Sequence, residues 1–279
     1  MSILVEHSAA GLSYLACDGS GKMPIVLLHG IGSNARSFAP LIAAFEGRYP
    51  ALAWNAPGYG ASQPLAMDWP DADNYAAALN RLLAHLEIAR CVLIGHSLGC
   101  LVAARFARVS SRRLAALVLI SPALGHGTET GSALPEGVAR RIEELDRLGP
   151  EKFAAARAGG LVADPAARPD VLEAVTRAMA DVRRPGYDQA ARLLAGGRLL
   201  EDAAKIELPT MVVVGTQDRI TPPANAGRVF EALPGGAHAY REIADAGHAV
   251  CQEQPAAIAR AVVEVIEHKA DAHEVNANA

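Results

Sequence analysis

Aromatic residues are scarce in this 279-residue chain, at 5%. Cysteine is sparser still: Cys17, Cys91, Cys100 and Cys251 are scattered with no CxxC pair. That spacing excludes a disulfide framework and a structural zinc site, and reads as reduced thiols in a cytoplasmic protein. No apolar run approaches the roughly 18–20 residues that a membrane span needs. The opening residues, MSILVEHSAAG, lack the positive start and the long apolar stretch of a secretory signal. An excess of one charge is also missing. Lys and Arg number 26 against 30 Asp and Glu, a formal charge of −4, so no basic face is expected for a phosphate backbone. Disorder is excluded because 51% of residues are hydrophobic. What remains is a globular chain of one large domain, or of one domain carrying an insertion, with neither nucleic acid nor membrane expected as partner.

Short apolar runs alternate with helical patterns. Residues 25–28, 51–54, 91–95, 116–120 and 211–215 predict buried strands rich in Val, Ile and Leu. Residues 3–6 and 12–17, around Ala9–Gly11, predict a hairpin before them. Leu79, Leu82, Leu83 and Leu86 mark one helix face, with Asp71 or Asp73 placed to cap its start. Pro255 suits a first helical turn, followed by the stripe Ile258, Val262, Val265 and Ile266. This alternation predicts an α/β fold: a mostly parallel twisted sheet with helices on both faces. The rhythm fails over the 83 residues 123–205, which hold helical patterns but no strand. They predict a cap of short helices punctuated by Gly and Pro, inserted into a core of residues 1–122 and 206–279. From Asp271 the chain turns polar, and a frayed tail is expected.

The sharpest motif is Gly95-His96-Ser97-Leu98-Gly99, after a predicted strand and before a helical run. A strand–turn–helix passage of this kind holds a serine on a strained elbow, and the glycines avoid collisions with neighbouring backbone. A serine hydroxyl needs a base. His248 follows the strand-like run 237–243 and precedes the last helix, where a loop can hang over the sheet edge. His29 and His96 sit in glycine turns and read as loop-shaping; His7, His85, His268 and His273 read as surface residues. The base needs an orienting carboxylate, and Asp218, just after the strand 211–215, supplies one. Asp245 is too near His248 in sequence to brace its ring, and Ser121-Pro122-Ala123 offers no acid. The order Ser97, Asp218, His248 fits one of the three convergent triad arrangements. The backbone N–H groups of Ile31, in the loop His29-Gly30-Ile31-Gly32, and of Leu98 are the candidate oxyanion donors.

Together, LLHGIG at 27–32, NAPGYGAS at 55–62, LIGHSLG at 93–99, VVVGTQDRITPP at 212–223 and AGHAVCQEQP at 246–255 resemble the capped branch of the α/β-hydrolase family. The resemblance implies the α/β-hydrolase fold: about eight strands, one of them antiparallel, under a helical cap. It also implies a Ser97–His248–Asp218 triad without metal or other cofactor. Ser97 disfavours epoxide hydrolase and dehalogenase chemistry, which resembling enzymes run with an aspartate nucleophile. Leu98 stands where haloperoxidase-like members tend to carry Trp, and Ala249 where carbon–carbon bond hydrolases often do. Asn55 replaces an Asp common in the family, in a turn away from the triad.

The reaction expected is hydrolysis of a carboxylic ester or related acyl bond of a small molecule through an acyl-enzyme. Carbon–carbon bond hydrolysis of a ring-fission product and enol-lactone opening are the rivals on the same site. A non-catalytic ligand receptor is the rival of another class, and a triad-dependent lyase is a further one. Gly30, Arg36, Phe38, Leu124, Ile220 and Val250 flank the motif loops and are candidates for the substrate pocket. Arg36, Arg183 and Arg184 are candidates to meet a substrate carboxylate, with solvated surface charge as the alternative. Residues 123–205 carry 12 basic and 13 acidic side chains, so no steering of anions is expected. Only Phe153 and Tyr187 of the 13 aromatics fall there, which predicts walls too small to stack on a flat ring.

Overall fold

The computed structural model describes residues 4–277, with side chains through Glu267. Ile3 of the expected hairpin lies outside the described residues, as do the side chains of the tail expected from Asp271. Eight strands build one sheet: β1 (Val5–Ala9), β2 (Leu12–Cys17), β3 (Ile25–Leu28), β4 (Ala51–Trp54), β5 (Cys91–His96), β6 (Leu114–Ile120), β7 (Thr210–Gly215) and β8 (His238–Ile243). Their spatial order is β1-β2-β4-β3-β5-β6-β7-β8. Only the β1–β2 and β2–β4 pairs are antiparallel, so β2 alone runs against the sheet.

Successive side chains along each parallel strand enter opposite cores. Val26, Leu28, Leu93, Leu117, Leu119, Val212 and Val214 face one cluster. Ile25, Leu27, Val92, Ile94, Val118, Met211 and Val213 face the other. Burial on both faces is why these runs are continuously apolar rather than alternating. The outer strand β8 is the exception, with mostly half-buried and exposed residues.

The helices are α1 (Ala39–Ala44), α2 (Ala72–His85), α3 (Gly99–Val109), α4 (Glu136–Arg157), α5 (Pro169–Ala180), α6 (Gly186–Gly196), α7 (Leu199–Ala203), α8 (Pro223–Ala232), α9 (Val250–Glu253) and α10 (Pro255–Ala277). Helices α2, α3 and α8 cover one face through Leu79, Leu82, Leu101 and Val229. Helices α1 and α10 cover the other through Leu41, Ile42, Ile258 and Val262. Of the two candidate caps for α2, Asp71 holds the position. Its carboxylate accepts the Asn74 N–H at 3.0 Å, and the Asn74 side chain accepts the Asp71 N–H at 2.9 Å. This reciprocal box satisfies two backbone donors that helix geometry leaves without partners.

Between β6 and β7 the described chain is helical, from α4 to α7 with a 3₁₀ turn at Ala158–Leu161. Where short helices were expected, α4 runs for 22 residues. Gly149 breaks its geometry at φ 72°, and Pro150 restarts it, so the punctuation produces a kink rather than a stop. Among the described residues no helix is long and apolar enough to cross a membrane.

Asp71→Ala is expected to lower folding stability by about 1 kcal/mol, read from the urea midpoint. An unchanged midpoint would contradict the capping role.

Candidate active site

Ser97 lies between the end of β5 and the start of α3 with φ of 54°. A non-glycine residue in that left-handed region carries strain of about 1–3 kcal/mol, tolerated only where the surroundings impose it. The surroundings do so here. The Ser97 N–H donates to Ile120 O at 2.9 Å, tying the turn to β6. A Cβ on Gly95 would lie 2.6 Å from Gly99 O, and one on Gly99 would lie 2.2 Å from Leu28 O. Gly30 packs against the serine so closely that a Cβ there would meet Ser97 Cβ at 2.8 Å. Among the described residues the backbone N–H groups of Ile31 and Leu98 find no acceptor.

Asp218 is buried just beyond β7. Its Oδ1 accepts the N–H groups of Ile220 and Thr221, both at 2.9 Å. Its Oδ2 lies 2.9 Å from His248 Nδ1 and 3.0 Å from the Thr221 hydroxyl. Burial alone would raise this carboxyl, but the hydrogen bond from His248, the charge of that ring when protonated, and the Thr221 N–H hold it below the usual carboxylate range. An ionised carboxylate only accepts, so Nδ1 carries the ring proton and Nε2 is left able to take one. The Thr221 hydroxyl also lies 2.9 Å from Ser121 O and 3.2 Å from Nδ1, which braces the pair from the β6 side.

Two other histidines line this region with structural duties. His29 donates from Nδ1 to Gly30 O at 2.8 Å and accepts the Ala56 N–H at Nε2, 3.0 Å away. His96 Nε2 donates to the His248 carbonyl at 2.8 Å and thereby fixes the His248 backbone. Burial pushes His29 down to about 4. Burial and the neighbouring His248 ring push His96 down to about 3.

Two cavities meet at Ser97, of about 210 Å³ and about 440 Å³. Ser97, Ile31, Ile220, Arg141 and Arg157 line both. His248, Phe153 and Tyr187 line the smaller. Leu98 and Leu124 line the larger. Ser97 and His248 thus face the same space without a direct hydrogen bond between them.

Four expected pocket residues line neither cavity, and of these Gly30 packs directly against Ser97. Phe38 and Val250 are buried in the core beneath the sheet, because they follow motif loops in sequence but point away from them. Arg36 is 70% exposed and pairs with Glu6 at 3.1 Å. It shares a separate surface hollow with Arg183, while Arg184 pairs with Asp146 and Asp188, each at 2.7 Å. None of the three arginines lines the space around Ser97. The expectation of small walls is also overturned. Both aromatics of the segment, Phe153 and Tyr187, border the smaller cavity, edge to face at 5.5 Å and 80°. The reading from sequence missed them, together with Arg141, Arg157 and His126 at the larger cavity. Among the described residues, no three His, Cys, Asp or Glu side chains gather as metal ligands.

The loop carrying His248 is stitched to the inserted helices. Glu253, fully buried, accepts the Gly247 N–H at 2.7 Å and the Ala163 N–H at 2.9 Å. It also pairs with Arg168 at 2.6 Å. The Ala249 N–H donates to Leu161 O at 2.9 Å.

A serine forced above the edge of a parallel sheet, level with a buried His–Asp pair, is the architecture of a hydrolase. The profile of the alpha/beta hydrolase family matches residues 25–261, and the chain belongs to that family. It is 30% identical over 243 residues to the dihydrolipoyllysine-residue acetyltransferase component of the acetoin cleaving system of Pseudomonas putida. That match covers 81% of this chain but only 61% of the relative's length. It is 24% identical over 261 residues to 3-oxoadipate enol-lactonase 2 of Acinetobacter baylyi, covering 91% of this chain and 92% of the relative. The solved structure of a thermophilic esterase from Thermogutta terrifontis superposes with a TM-score of 0.81 at 24% identity, over 96% of this chain and 99% of that one. That last likeness is one of fold.

Glu253→Ala leaves two backbone donors and Arg168 without their acceptor, and is expected to cost on the order of 3 kcal/mol in urea unfolding. A loss below about 0.5 kcal/mol would show that the stitch holds nothing. Stability should also depend on pH through His29 and His96. In the unfolded chain both take up protons near pH 6.5, whereas the folded ones resist until about 4 and 3. The unfolded state therefore binds more protons below pH 6.5, so their contribution is complete above that pH and falls as the pH drops toward 4. Urea midpoints between pH 7 and 4.5 measure it; a flat profile contradicts it.

Proposed function

We propose that this chain is a serine hydrolase that cleaves a carboxylic ester or a closely related acyl bond of a small molecule. The observation that carries the reading is the strained Ser97 facing the same cavity as His248, whose Nδ1 is held by buried Asp218. Ser97 Oγ attacks the acyl carbon while His248 Nε2 takes its proton. The carbonyl oxygen becomes an oxyanion against the Ile31 and Leu98 N–H groups, whose lack of other acceptors supports that role. Collapse breaks the C–O bond, His248 returns the proton to the departing alcohol, and Ser97 is left acylated. Water then attacks the acyl carbon, giving a proton to His248, and the acid leaves as Ser97 recovers its hydrogen.

In this reading residues 123–205 form a cap over a core of residues 1–122 and 206–279. Support comes from the cavity-lining side chains Arg141, Phe153, Arg157, Met179 and Tyr187, all contributed by those helices. The cytoplasm is the proposed compartment, in keeping with four free thiols. Lactone opening is the second reading. The Phe153–Tyr187 pair gives the smaller cavity an aromatic border, and an enol-lactonase is among the relatives. It uses the same steps, with the departing oxygen tethered to the acyl group.

The test is a panel of 4-nitrophenyl esters and enol-lactones with wild type and Ser97→Ala, plus mass-spectrometric trapping of the acyl adduct. Ser97→Ala is expected to lower kcat by about 10⁴-fold or more and to abolish the adduct. Near-normal hydrolysis by that variant would overturn the reading. Tight binding without turnover by wild type would favour a receptor instead.

A further inference from the structure

Arg141 sits at the junction of the two cavities, on α4, facing the space around Ser97. Its Nε is buried and has no hydrogen-bond partner. Among the described residues its guanidinium has no carboxylate partner. The other cavity arginines are already committed: Arg157 to Glu144 at 2.6 Å, with its guanidinium also over the Phe153 ring, and Arg140 to Glu136 at 3.7 Å. Neither cavity is lined by an Asp or Glu. The balanced charge of the whole helical segment therefore hides a local imbalance: Arg140, Arg141 and Arg157 line the cavities, and none of its acids does.

A guanidinium is costly to desolvate without a counter-ion, and it is a planar fork suited to two oxygens of one carboxylate. The phenols around it supply no charge. Burial raises the hydroxyls of Tyr59 and Tyr187, and both remain neutral donors near Arg141. We propose that the substrate carries a carboxylate besides the bond that is cleaved, and that Arg141 binds it. A single fork without a carboxylate partner matches the two oxygens of one carboxylate. Arg141 borders both cavities, so the carboxylate can ride on either the acyl or the alcohol half. This inference rests on the hydrolase reading, and its test is built to fail separately from it.

Two pairs that differ by a carboxylate are compared by kcat/KM: 4-nitrophenyl pentanoate with mono-4-nitrophenyl glutarate, and phenyl acetate with 4-acetoxybenzoate. Wild type is expected to prefer the carboxylate member of at least one pair by about tenfold or more, as charge-assisted hydrogen bonds allow. Arg141→Gln should reduce that ratio by about tenfold or more. Arg141→Lys, which keeps the charge but not the fork, should retain part of it. Thermal melts matching wild type confirm that the variants are folded. Binding of monomethyl glutarate to Ser97→Ala, by calorimetry, gives a readout independent of turnover, and adding Arg141→Gln should abolish it. Hydrolysis without preference in either pair, or a preference unchanged in Arg141→Gln and Arg141→Lys, overturns the inference and leaves the hydrolase reading standing. Monomethyl glutarate binding that requires Arg141, with no ester cleaved, overturns the hydrolase reading and leaves this one standing.

Discussion

Everything in the site is referred to one forced backbone angle. Ser97 keeps its left-handed conformation because β5, α3 and the loop after β3 close on it from three sides. Gly30, Gly95 and Gly99 lack side chains where those elements meet. The strain is small beside the stability of a large core, yet it fixes the serine at the point where two cavities join. Relaxing the angle would swing the hydroxyl away from both, so the packing of the sheet and the placement of the serine are one constraint.

The histidine is controlled from behind by a network that reaches three strand ends. Asp218 follows β7, Thr221 bonds the backbone after β6, and His96 at the end of β5 holds the His248 carbonyl. These three partners of His248 and Asp218 all sit at or just beyond strand ends. The buried carboxylate stays charged because two backbone N–H groups and the imidazole donate to it, with the single Thr221 hydroxyl proton shared between it and Ser121 O. Low pKa values at His29 and His96 serve the same end from the other direction. Neutral rings there donate one specific hydrogen bond and bring no positive charge near His248.

The fold was legible in the sequence wherever the signal was local. Strands buried on both faces wrote themselves as unbroken Val, Ile and Leu runs, and the pair of candidates Asp71 and Asp73 marked a helix start, of which the structure uses Asp71. The elbow was legible because glycine spacing and flanking elements coincide around Ser97. The pocket was not. Position beside a motif does not say which way a side chain points, so Phe38 and Val250 fell into the core and Arg36 onto the surface. Conversely, Arg141, Phe153 and Tyr187 reach the cavity from helices whose periodicity separates buried from exposed faces but cannot say what covers the buried one. Counting charge over 83 residues failed for the same reason, since opposite signs had been sorted in space.

The stitch through Glu253 has a mechanical meaning. One carboxylate holds the backbone just before His248 and the backbone at Ala163, and the Ala249–Leu161 bond runs beside it. The helices that roof the cavity and the loop that carries the imidazole are therefore a single moving part over this stretch. Residues 161–163 therefore cannot shift without disturbing the backbone on both sides of His248.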